Sequence, residues 1–178
     1  MAKVTSKTAN WRLFGGSAIL AAGVLSLLAL STSLGWVQAL AWIILAAGLL
    51  LVAFGQTGGN GAVGKYLPGK VALVLYATGF VLLALNLVVP GGLPSFALVL
   101  AGLLIIVGGL VSAWAIERKS VAKGAAQWIL FLPAIVGLVT FAGLVVPALS
   151  SSAWILYLLA ILFCVTGSLY LLNDRKLG

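Results

Sequence analysis

This 178-residue chain has no histidine, a single cysteine and only two acidic residues. Each shortage closes off a kind of chemistry. Without histidine the commonest metal ligand is gone, and so is the side chain that usually changes charge near neutral pH. No Ser–His or Cys–His pair can activate a nucleophile, and haem or chlorophyll cannot be ligated by imidazole. The lone Cys164 cannot form an internal disulfide, and inside an apolar run it behaves as a small hydrophobe. The two acids, Glu117 and Asp174, stand outside the apolar runs, so no carboxylate relay can cross a membrane interior. No catalytic, cofactor-binding or metal-ligating residue is assigned, and the chain is not expected to be an enzyme.

Charge of either sign is scarce. Only 7% of residues are charged, against about 25% in a soluble domain. In its place is hydrophobicity: 63% of residues are apolar and the mean hydropathy is +1.28. A helix needs about 20 apolar residues to cross the hydrocarbon core. Six stretches meet that need, and all charged side chains lie outside them. The sequence therefore predicts an all-α integral membrane protein. Its six transmembrane helices form three repeated helical hairpins. Helices are expected because backbone groups in lipid must be satisfied internally, and the runs lack the alternating polarity of barrel strands.

The predicted spans are Leu13 to Ser31, Trp36 to Phe54, Val71 to Val89, Ser95 to Ile116, Gln127 to Leu149 and Ala153 to Leu172. Residues 1–12 make an N-terminal tail, 13–55 the first hairpin and 56–70 a glycine-rich connector. Residues 71–116 make the second hairpin, 117–126 a basic connector, 127–172 the third hairpin and 173–178 a C-terminal tail. The first span follows basic residues as a signal peptide would, but it is long, and it reads as a retained helix.

All ten Lys and Arg lie in the tails and in the connections after spans two and four. The turns after spans one, three and five carry none. Lys and Arg collect in cytoplasmic loops, so both termini are expected on the cytoplasmic side. The same pattern accounts for the net charge of +8 without nucleic acid as a partner, and attraction to anionic headgroups follows from it. Arg12, Arg118, Lys119, Arg175 and Lys176 are the expected headgroup anchors. Trp11, Trp36, Trp114, Trp128 and Trp154 fall near span ends, where indoles prefer to sit.

An internal repeat is visible. Leu87-Val88-Val89-Pro90 and Leu144-Val145-Val146-Pro147 end the third and fifth spans 57 residues apart. Gly79 and Gly137 are 58 apart, as are Gly109 and Gly167. Such a period suggests duplication and a pseudo-symmetric bundle. Small residues four apart let helices approach closely in lipid. Ala18, Ala22 and Ser26 form such a face on the first span, and Ala160, Cys164 and Ser168 on the sixth. These faces join helices within the bundle or join protomers. Pro133 falls inside the fifth span and predicts a kink.

Few polar groups remain to carry a function. Asn86 and Thr140 mark the candidate polar pathway for a neutral solute, with Gln38, Tyr76, Tyr157, Thr166 and Tyr170 as other intramembrane polar groups. The connector stretch Gly59-Asn60-Gly61-Ala62-Val63-Gly64-Lys65 matches phosphate-loop spacing. Such a loop needs a preceding strand, and Tyr66 replaces the magnesium-binding hydroxyl. The plain reading is a flexible tether.

The paired-helix pattern resembles the HdeD-type acid-resistance membrane proteins. The residues that carry the resemblance are the mid-helix glycines Gly23, Gly48, Gly79, Gly109, Gly137 and Gly167, with the Pro90 and Pro147 turns. The first hairpin lacks the turn proline. The resemblance implies a bacterial cytoplasmic-membrane protein tied to acid or envelope stress, with no catalytic residues to transfer. The expected role is non-enzymatic, through packing with membrane lipids or membrane proteins, as a homo-oligomer or within a larger complex. The alternatives are an accessory or scaffold subunit, and a small transporter or channel for a neutral solute.

Overall fold

The structure is a computed structural model. It describes residues 10–55, 61–119, 124–145 and 153–172. The elements are α1 (Asn10–Thr32), α2 (Gly35–Phe54), α3 (Leu67–Val88), α4 (Ser95–Lys119), α5 (Ala125–Trp128), α6 (Phe131–Val145) and α7 (Ala153–Leu172). Among the described residues there is no strand, only an isolated bridge between Gly61 and Gly64. Five helices, α1 to α4 and α7, are long and apolar enough to cross a membrane. This is the architecture of an integral membrane protein.

Local chemistry sets the helix ends. Ser33 takes a left-handed φ of 56° after α1, and the Leu34 N–H donates back to the Ala29 carbonyl at 3.3 Å. That contact ties off a carbonyl at the helix C-terminus. Pro68 lies in the first turn of α3, where its missing N–H costs nothing. For that reason α3 starts at Leu67, four residues before the expected Val71. Between α3 and α4, Gly91 and Gly92 adopt φ of 83° and 73°.

The fifth expected span differs from a single kinked helix. Pro133 has no N–H to offer the Ile129 carbonyl, and its ring crowds that oxygen. The Ile129 carbonyl instead accepts from the Leu132 N–H at 3.2 Å. The α-helical ladder is interrupted at Ile129 and Leu130, leaving α5 and α6 as separate pieces. The last residues of the expected span, 146–149, lie outside the described residues, as does the proline of the second Leu-Val-Val-Pro.

The helices pack in chain order. α1 lies against α2, α2 against α3 and α3 against α4. α4 meets α5 and α6, these meet α7, and α7 returns to α1. The result is a closed ring. Its centre is filled by side chains such as Ile19, Leu45, Leu49, Leu73, Tyr76, Phe80 and Tyr170. Phe80 of α3 meets Phe163 of α7 edge-on at 5.7 Å, and Tyr76 lies 5.2 Å from Phe80. Between a third and a half of each long span is buried inside the bundle, from 33% to 50%. The outward faces carry Val24, Leu28, Ile43, Val81, Leu103, Val107 and Ile161.

Candidate functional site

Small residues decide where the helices touch. On α1, a Cβ at Gly15 would stand 3.2 Å from the Gly48 carbonyl oxygen of α2, and one at Gly16 would stand 3.0 Å from the Gly167 carbonyl oxygen of α7. One turn and more along, a Cβ at Gly23 would stand 2.7 Å from the Cys164 backbone nitrogen. Ala18 of the first small-residue face meets Gly48. Ala22 and Ser26 are buried. On α7, Ala160 and Cys164 face Gly23, and the Ser168 hydroxyl donates to the Cys164 carbonyl at 2.8 Å. Ala18, Ala22, Ser26, Ala160 and Cys164 are therefore turned into the bundle.

The repeat-related glycines have unlike surroundings. Gly79 packs on Ile105 and Ala101 of its own hairpin, whereas Gly137 meets Ile105 of the preceding hairpin. Gly109 meets Ala134 and Tyr76, whereas Gly167 meets α1.

The polar candidates are largely spent on local structure. Asn86 Oδ1 accepts the Leu93 N–H at 2.8 Å and so fixes the turn between α3 and α4. Thr140 donates to the Val136 carbonyl at 2.8 Å within α6. The structure gives the two residues no shared hydrogen bond. Thr78 and Thr166 bond their own helix carbonyls in the same manner, the usual resort of hydroxyls in apolar helices.

The described part of the glycine-rich connector is packed, which corrects the reading of it as a loose tether. Ala62 and Val63 are fully buried. The Ala62 N–H donates to the Val52 carbonyl at 2.8 Å, and Gly64 and Tyr66 donate to Gly61 and Val63. Gly61 lies directly on the backbone of Val52 and Ala53. Those N–H groups already have acceptors, so they cannot cradle a phosphate as a nucleotide loop must. Gly59 and Asn60 lie outside the described residues.

At the basic end, Arg118 lies over the Trp114 ring at 5.0 Å and Lys70 over the Phe54 ring at 5.4 Å. Gln127 Nε2 donates to the Glu117 carbonyl at 3.0 Å, joining α5 to the end of α4. Arg12 is half-buried. Lys119 ends α4; its side chain, Arg175 and Lys176 lie outside the described residues. Trp36, Trp114, Trp128 and Trp154 are all exposed at helix ends.

Two polar features within the bundle stand apart. Tyr76 is fully buried, and its hydroxyl has no hydrogen-bond partner among the described residues. The other is Gln38 of α2. Its Nε2 donates to Ser26 Oγ of α1 at 3.1 Å, while its carbonyl oxygen is buried without a partner among the described residues. An unmet buried amide group costs about 1–3 kcal/mol. Gln38 and Ser26 border a cavity of about 370 Å³ between the α1–α2 turn, the end of α3 and the first half of α7. Its size falls within the roughly 300–1,000 Å³ typical of ligand sites. Gln38 was visible as an intramembrane polar residue; nothing in the sequence pointed to the space beside it. Comparison with known proteins adds no name to this arrangement: no protein-family model, curated protein or solved structure matches the chain.

Proposed function

We propose that this protein is a non-enzymatic polytopic membrane protein that acts by packing against lipid and membrane partners. The observation that supports this most directly is the contrast between its two kinds of surface. Inward faces are small and close-fitting, while outward faces carry Val, Leu, Ile and Phe on all five long helices. Exposed apolar area on this scale marks contact with lipid or another protein. In this reading both termini are cytoplasmic, the fifth of six crossings is the broken pair α5 and α6, and Arg118 over Trp114 is one of its headgroup anchors. The HdeD-like reading supplies the setting: an inner-membrane role in acid or envelope stress.

The test is gentle extraction from native membranes, followed by mass and composition of the particle. A particle of this chain with bound lipid is expected, together with lower survival at low pH when the gene is deleted. A stoichiometric second protein would instead make the chain an accessory subunit.

A further inference from the structure

The cavity beside Gln38 goes beyond a packing role, and it stands whether the protein acts alone or in a complex. We propose that it is a binding site for an uncharged amphiphile, a molecule with a hydroxyl head on an apolar body, such as a long-chain alcohol or an acylglycerol lipid.

Three observations lead there. The walls are apolar, with Leu30, Trp42, Leu87 and Phe163 among them, and none of the described residues that line the space is charged. A charged head would find no counter-ion, and burying it unpaired is expensive. The second observation is the amide itself. Gln38 spends one N–H on Ser26, which leaves its carbonyl oxygen and the second N–H of Nε2. The terminal torsion of glutamine is soft, so the amide can turn either group to the cavity. A hydroxyl both donates and accepts, and it matches that pair. The third is depth. Gln38 stands one helical turn into α2, which starts at Gly35; one turn is about 5 Å. Trp42 lies one turn deeper. A head at Gln38 with a tail toward Trp42 and Phe163 therefore enters beside the α1–α2 turn, with its polar end near the membrane surface.

The experiment uses the full chain in detergent and three probes of equal length, each tipped with bromine to quench indole fluorescence. These are bromodecanol, bromodecane and bromodecanoate. The signal assigned to Trp42 is the quenching lost in Trp42→Phe. Bromodecanol is expected to quench it saturably and roughly tenfold more tightly than the other two, a difference the size of one hydrogen bond to a buried group. Gln38→Leu should remove that tenfold preference while leaving the particle's elution and helicity unchanged. Leu87→Phe narrows the cavity from a half-exposed wall position, and it should weaken bromodecanol even if Gln38→Leu fails to fold. Equal, unsaturable quenching by all three probes overturns the site. Tightest binding of bromodecanoate overturns the uncharged ligand class, and an unchanged affinity in both variants overturns the placement.

Discussion

At position 23 the space beyond the backbone is already taken. A Cβ there would stand 2.6 Å from the Cys164 sulfur, 2.7 Å from the Cys164 nitrogen and 2.9 Å from the Ala160 carbonyl oxygen. Two of those three atoms are backbone and cannot swing aside. Gly23→Ala should therefore destabilise the protein by about 1–3 kcal/mol, as overpacking does, in reversible unfolding by sodium dodecyl sulfate. Cys164→Ala in the same chain should recover only a minor part of that loss, because the backbone contacts remain. Ser33 presents the reverse case. It holds a left-handed φ of 56°, where a side chain is strained and glycine is at ease. Ser33→Gly should raise stability by up to about 1 kcal/mol in the same assay; an equal loss would show that the turn depends on the serine side chain.

At the scale of elements, adjacent glycines matter more than single ones. Successive residues on a helix point about 100° apart. In the doublet Gly15-Gly16, the first residue faces α2 and the second α7. In Gly108-Gly109, the first faces Tyr76 of α3 and the second Ala134 of α6. Each doublet lets one helix be approached closely from two sides, which is what a ring of helices requires. The long helices were readable in advance because twenty apolar residues in lipid have one backbone solution. The mid-helix glycines were readable as contact points, but not their partners, since hydrophobicity with a repeat does not say which faces meet. The α5–α6 break shows the same limit: Pro133 announced a disturbance, and only the hydrogen bonds located it four residues earlier. Pro133→Ala restores an N–H for the Ile129 carbonyl. Hydrogen exchange at residues 129–132 should then slow severalfold, as α5 and α6 join into one ladder; unchanged exchange would assign the break to packing against α4 and α7.

For the whole molecule, charge and shape predict an orientation. All ten cationic residues flank one set of helix ends. In a Cys164→Ala background, Lys65→Cys and Ser95→Cys should react with an impermeant maleimide from opposite sides of a sealed membrane, with Lys65→Cys on the cytoplasmic side. Labelling of both from one side would overturn the hairpin order. The closed ring also bears on how the protein comes to exist. Gly16 rests against Gly167, yet the two are far apart in the chain and so are made at different times. At elongation rates of about 5–20 residues per second, the interval between them is on the order of ten seconds. Throughout that time α1 waits in the bilayer with its small-residue flank uncovered. Because α7 leaves the ribosome after α1 and completes its seat, a chain that stops before α7 forfeits the closure and leaves the Gly16 flank of α1 open to lipid.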